Sequence, residues 1–143
     1  MAPLPNGVYA VTKPNGQLLT LSGVKDPVVV LPPGGEPGEQ EWELEALDNG
    51  NVRLRNLRHP AYAGYDGPPQ ENTEVIGSGE PREWALYQAA GRNTFHVVVP
   101  GGPVDGRELA LDFSVLDIFP PRTALRPLDV DDRQQAWTFE FHE

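Results

Sequence analysis

Apolar and polar residues alternate along this chain in short bursts, each ended by turn residues. Over 6–13, Val8, Ala10 and Thr12 fall on one side and Tyr9, Val11 and Lys13 on the other, the period of two that marks a β-strand. Pro14-Asn15-Gly16 turns the chain, and 17–23 returns as a second strand. Gly23-Val24-Lys25-Asp26-Pro27 makes a short exposed link to the β-branched run 27–31, a third strand. Residues 32–39, PPGGEPGE, hold no regular element and lead as a loop into a fourth strand, 40–47, which carries Trp42.

The grammar then restarts. Asp48-Asn49-Gly50-Asn51 is a turn; 52–57, 59–67 and 73–78 read as strands ahead of Trp84 in 82–89. Gly91-Arg92-Asn93 opens a last round, with strands at 94–99, 107–114 and 123–128 before Trp137 in 135–142. All three tryptophans are spent this way, each followed two residues later by Leu44, Leu86 or Phe139 on the same strand face. The phrase recurs roughly every 40 to 50 residues, the period of a supersecondary unit. No segment sustains an apolar period of 3.6, and the prolines would interrupt one. Three rounds of four strands predict an all-β chain, a single domain over 1–143: a β-trefoil with twelve strands in three pseudo-repeats, six closing a barrel and three hairpins capping one end. An irregular β-sandwich fits the turn spacing but leaves the Trp-x-(Leu/Phe) recurrence without a reason.

Composition narrows the function. The net charge of −10, from 21 acidic and 11 basic residues, repels phosphate backbones and anionic lipid, so neither nucleic acid nor membrane is an expected partner. There is no cysteine, hence no disulfide framework and no thiolate chemistry. Glycine (15) and proline (16) are abundant but spread between apolar runs, which means many turns. The amino terminus lacks a charged and apolar leader pattern, and no stretch approaches a membrane span, so a cytoplasmic location is expected. His59, His96 and His142 lie in a turn, a strand and the terminus with no ligand spacing and read as structural; no metal or cofactor is implied. Ser22, Ser78 and Ser114 lack a nucleophile elbow, and the chain reads as a non-enzymatic binder.

Gln40-Glu41-Trp42 and Gln135-Ala136-Trp137, with Arg82-Glu83-Trp84 as a departure, resemble the Gln-x-Trp signature of ricin-B-type β-trefoils, a structural motif. Asn6-Gly7-Val8-Tyr9 and the closing Trp-containing strand resemble the small, acidic, cysteine-free β-trefoil protease inhibitors of mushrooms, of the cocaprin type. That resemblance implies inhibition of papain-like cysteine proteases and of pepsin-like aspartic proteases, with the connection between the second and third strands, Gly23, Val24, Lys25, Asp26 and Pro27, as the loop for cysteine proteases. Its stiff exit at Pro27 suits such a loop. Lys25 also fits a trypsin-like pocket, which leaves serine protease inhibition open. Leu116, Asp117, Ile118 and Phe119, in the insertion that lengthens the last round, form a second candidate interface, either for a homodimer or for another protease surface. A carbohydrate-binding lectin is the competing class: Tyr62, Tyr65 and Asp66 in the second round offer an aromatic platform beside a carboxylate.

Overall fold

The computed structural model describes residues 3–142. Its twelve strands run β1 (Gly7–Thr12), β2 (Leu18–Thr20), β3 (Val29–Leu31), β4 (Trp42–Ala46), β5 (Val52–Asn56), β6 (Tyr62–Gly64), β7 (Ile76–Ser78), β8 (Ala85–Gln88), β9 (Thr94–Val98), β10 (Leu109–Phe113), β11 (Thr123–Pro127) and β12 (Trp137–His142). One short 3₁₀ turn, Arg133–Gln135, precedes β12, its start capped by the Asp132 side chain accepting from the Gln134 N–H. Among the described residues no helix is long and apolar enough to cross a membrane.

Six strands close the barrel. Antiparallel pairing runs from β12 to β1, β1 to β4, β4 to β5, β8 to β9 and β9 to β12, and the pair Val52 and Trp84 joins β5 to β8. Among the described residues the barrel closes without a free edge strand. The remaining strands form three hairpins, β2–β3, β6–β7 and β10–β11. The chain is a β-trefoil, as the alternation and the repeated tryptophans predict.

The tryptophans sit at the centre of the repeats. Trp42, Trp84 and Trp137 have no exposed surface, and each indole N–H donates to a carbonyl of its own repeat's hairpin: Leu19 at 3.0 Å, Ala63 at 2.9 Å and Leu111 at 3.0 Å. Each indole thus fills the barrel end while satisfying the one polar atom it buries. The glutamine two residues earlier has its own task. The Gln40 amide donates to the Pro32 carbonyl (2.8 Å) and accepts from the Gly34 N–H (3.0 Å); the Gln135 amide donates to the Pro127 carbonyl (3.0 Å) and accepts from the Asp129 N–H (2.8 Å). Gln-x-Trp therefore clamps the loop that enters the barrel strand. In the second repeat Arg82 replaces the clamp, donating to the carbonyls of Tyr65 (3.0 Å) and Gly67 (3.1 Å).

The hairpins meet in a closed ring of backbone hydrogen bonds. Val28 N–H donates to the Val75 carbonyl (2.9 Å), Val75 N–H to that of Thr123 (3.0 Å), and Thr123 N–H to that of Val28 (3.0 Å). A second ring lies two residues out: Gly77 N–H to Asp26 (3.0 Å), Leu125 N–H to Thr73 (2.8 Å) and Val30 N–H to Pro121 (3.0 Å). A third layer has only two members, Lys25 N–H to Gly77 (2.9 Å) and Asn72 N–H to Leu125 (2.7 Å). The equivalent residue in the third repeat is Pro120, which has no N–H to give.

Candidate functional site

Those rings place the first predicted site. Residues 23–27 are one of three equivalent cap segments, the others lying at 70–74 and 118–122. The N–H of Lys25 and the carbonyl of Asp26 both bond to Gly77, and Asp26 N–H donates back to the Gly23 carbonyl (3.1 Å). Lys25 and its equivalent Asn72 share a left-handed φ of 72°, which the neighbouring hydrogen bonds hold in place. Pro27 pairs with Ile76. What this segment presents to solvent is side chain: Val24 is exposed, and the Lys25 ammonium reaches the exposed Asp66 carboxylate at 3.5 Å. The second candidate, Leu116, Asp117, Ile118 and Phe119, lies in the connection between β10 and β11 and is exposed throughout, Phe119 to 86%.

Tyr62, Tyr65 and Asp66 do not converge. Tyr65 is buried, packed edge-on against Trp84 at 5.9 Å, with the Arg82 guanidinium 4.4 Å over its ring. Burial raises its phenol pKa against the opposing charge of Arg82. Its aromatic face is spent on the core, which corrects the expectation of a stacking platform there. Tyr62 points to the opposite face of its strand and lines a different groove, beside Glu43, Arg53 and Arg55.

The pseudo-threefold register reveals sites that the sequence did not single out. Tyr9 pairs with Trp42, Val52 with Trp84 and Phe95 with Trp137, so the next residues, Ala10, Arg53 and His96, are equivalent. Each lines a groove on the outer wall of the barrel, of about 410 Å³, 380 Å³ and 280 Å³ respectively. The first is the roomiest of these three, and alanine stands at its equivalent position. Ala10, Thr12 and Leu18 form the base, loop 33–38 one wall, and Glu41, Glu140 and His142 the other. The His142 ring and the Glu41 carboxylate lie 3.0 Å apart. Glu36 adds a third carboxylate, and no lysine or arginine lines the groove. Loop 33–38 keeps its shape through left-handed glycines: a Cβ on Gly38, at φ 89°, would lie 3.1 Å from the Arg58 backbone N.

A buried cation occupies the third repeat. Lys13 is 3% exposed; its ammonium donates to the Gln134 carbonyl (2.6 Å), lies 3.6 Å from the Asp112 carboxylate, and sits 4.0 Å over the Trp137 ring and 5.2 Å from that of Phe113. Desolvation lowers its pKa to about 8, with Asp112 and then Asp132 pulling the other way. Asp112 is the counterpart of Thr20 and Gly64 in the other hairpins, so this carboxylate is committed to Lys13 and Gln135. Among the described residues no group of three or more His, Cys, Asp or Glu is placed to hold a metal ion.

A β-trefoil whose first barrel-wall groove is rimmed by carboxylates and lined by no lysine or arginine is thus the class that the fold and site define. In solved structures the same fold is found in the Macrolepiota procera ricin B-like lectin, determined in complex with lactose, at 22% identity and a TM-score of 0.78, covering 99% of this chain and 100% of that one. The Rhizoctonia solani agglutinin is similar at 20% identity and a TM-score of 0.74, covering 99% of each chain. ThreeFoil, a designed three-fold symmetric protein, is similar at 15% identity and a TM-score of 0.78, covering 95% of this chain and 99% of that one. At these identities the likeness is one of fold. No protein-family profile matches the sequence, and no curated protein does.

Proposed function

We propose that the protein is a non-catalytic carbohydrate-binding β-trefoil whose ligand site is the first groove. The observation that carries this reading is the groove's chemistry: about 410 Å³ of open space lined by the carboxylates of Glu36, Glu41 and Glu140, with Thr12, Gln40 and His142, over a floor of Ala10 and Leu18. Ionised carboxylates only accept hydrogen bonds, and sugar hydroxyls donate them. The absence of lysine and arginine from the lining disfavours phosphorylated, sulfated or uronic ligands. The volume suits a mono- or disaccharide, and the fold it shares with two lectins supports the same class. On a glycan array, neutral glycans are expected to bind. Glu41→Ala, at a partly exposed position, is expected to lower their affinity about tenfold, near 1.4 kcal/mol, with unchanged circular dichroism. An array without a bound glycan, or binding indifferent to Glu41→Ala, would sink the reading.

A second reading, inhibition of cysteine, aspartic or trypsin-like proteases, is favoured by the rigidity of 23–27. A loop whose backbone is already fixed loses little entropy on docking, and the Lys25 side chain is 61% exposed. Lys25→Gly keeps the left-handed backbone and removes the side chain. In assays against papain, pepsin and trypsin, this variant is expected to weaken any inhibition about tenfold. Inhibition equal to that of the parent would remove the loop from consideration.

A further inference from the structure

We infer that Asn15 is a site of self-modification, where the side-chain amide closes onto the Gly16 nitrogen and then opens to aspartate or isoaspartate. The inference does not depend on sugar binding in the first groove. Asn-Gly occurs at Asn6-Gly7, Asn15-Gly16 and Asn49-Gly50, and glycine, with no Cβ, obstructs attack by its own nitrogen least. The other asparagines precede Val52, Leu57, Thr73 and Thr94, whose side chains crowd that nitrogen. Two of the Asn-Gly pairs sit in the same turn built twice. Gly16 N–H donates to the Lys13 carbonyl (2.8 Å) and Lys13 N–H to that of Gln17 (2.9 Å); Gly50 N–H donates to Leu47 (3.0 Å) and Leu47 N–H to Asn51 (2.9 Å). In each turn the asparagine Oδ1 accepts from the N–H two residues on, that of Gln17 at 3.1 Å or Asn51 at 2.9 Å. The glycines are left-handed, at φ 86° and 91°.

What differs between the two turns is the leaving group. The Asn49 Nδ2 donates to the Glu83 carboxylate (2.9 Å), which the Asn51 amide also holds (3.0 Å). These bonds, that of Asn51 first, keep the Glu83 pKa below its ordinary value. Attack at Asn49 must break the tie and build negative charge on the amide oxygen beside an ionised carboxylate. The Asn15 Nδ2 has no partner among the described residues, Asn15 and Gly16 are exposed, and nothing lies within 4 Å of where a Gly16 Cβ would stand. Asn6 is held in another way: its Oδ1 accepts from the Ala46 N–H (2.7 Å), and Gly7 belongs to barrel strand β1, under the Phe141 ring. The curl of the Asn15 carboxamide over its own chain sets up the step. The Gly16 nitrogen, its proton lost to hydroxide, attacks Cγ; the Cγ–Nδ2 bond breaks, and Nδ2 takes a proton from water and leaves as ammonia. Water then opens the cyclic imide at either carbonyl. The net charge becomes one unit more negative than −10, and the isoaspartyl product carries an extra methylene in the main chain. Gly16 lines the first groove, so both changes fall on its border.

The twin turns make the test internal to one molecule. The intact protein is aged in warm, mildly alkaline buffer, and its digested peptides are mapped by mass spectrometry, which reads the conversion of amide to acid at each asparagine. Asn15 is expected to convert about ten times faster than Asn49 or Asn6, into aspartyl and isoaspartyl peptides that separate by chromatography. Glu83→Ala unties the Asn49 amide and is expected to raise its rate toward that of Asn15, leaving Asn15 unchanged. In concentrated guanidinium chloride the turns are lost, and the three rates should converge. Equal native rates at the three sites would overturn the inference, as would an Asn49 rate indifferent to Glu83→Ala. Rates in denaturant that keep the native ranking and spacing would overturn it too, because the sequence and not the turn would then set them.

Discussion

Trp137→Ala is expected to destabilise the fold by about 4 kcal/mol, the upper range for emptying a large buried site. The indole has no exposed surface, and its removal empties the barrel end where the third repeat closes. Two further losses accompany the cavity: the Leu111 carbonyl gives up its 3.0 Å partner, and the Lys13 ammonium loses the ring 4.0 Å beneath it. For a chain of this size the melting temperature should fall by roughly 12 °C. Trp137→Phe keeps much of the volume and the ring face but drops the N–H, and should cost about half as much. Equilibrium urea denaturation of both variants checks the result. A loss below about 1 kcal/mol for the alanine variant would mean that the indole is not the keystone its burial makes it.

The second large effect is one of pH. An unfolded lysine titrates at about 10.4, whereas burial lowers the Lys13 pKa to about 8. Between those values the unfolded chain binds the proton and the folded chain does not, so stability rises with pH across the window. The contribution is fully present above the unfolded pKa and is lost as the pH falls through the folded one. Its size is about 3 kcal/mol. Tyr9, Tyr65 and Tyr87, whose phenols are raised chiefly by burial or, for Tyr87, by the hydrogen bond to Glu108, act in the opposite sense above the ordinary tyrosine pKa. Measuring against Lys13→Met cancels them. The stability difference between parent and variant is expected to grow in the parent's favour from neutral pH to beyond pH 10. A difference that stays flat would place the ammonium in water.

The strands were legible because their signal is local. Alternation fixes the face of each residue, and turns such as Pro14-Asn15-Gly16 and Gly91-Arg92-Asn93 fix the ends; all twelve predicted strands overlap an observed one. The same alternation held the answer for Tyr65, which shares parity with Ala61 and Ala63, both buried. An aromatic residue near a carboxylate looked like a platform, yet its phase already assigned it to the core. The grooves were not legible. The first brings loop 33–38 against Glu140 and His142, a juxtaposition set by barrel closure that no short window of sequence contains. The equivalence of 23–27 with 70–74 and 118–122 was equally hidden, because backbone atoms make its bonds and the side chains share nothing. His96 needed the register to stand out, since only alignment with Ala10 and Arg53 shows that its position tolerates a nonpolar residue.

The inner ring joining Val28, Val75 and Thr123 also bears on how the molecule assembles and opens. Each hairpin gives one bond and takes one, so detaching any hairpin breaks two links, and no member is terminal. Val28 and Val75, and Val75 and Thr123, stand about 50 residues apart along the chain, Thr123 and Val28 95 apart, and closing spans of that length costs entropy before any contact repays it. The last hairpin to arrive completes two links at once. The cap is therefore expected to close late in folding, and similar hydrogen-exchange protection of the Val28, Val75 and Thr123 amides is the measurement that checks it.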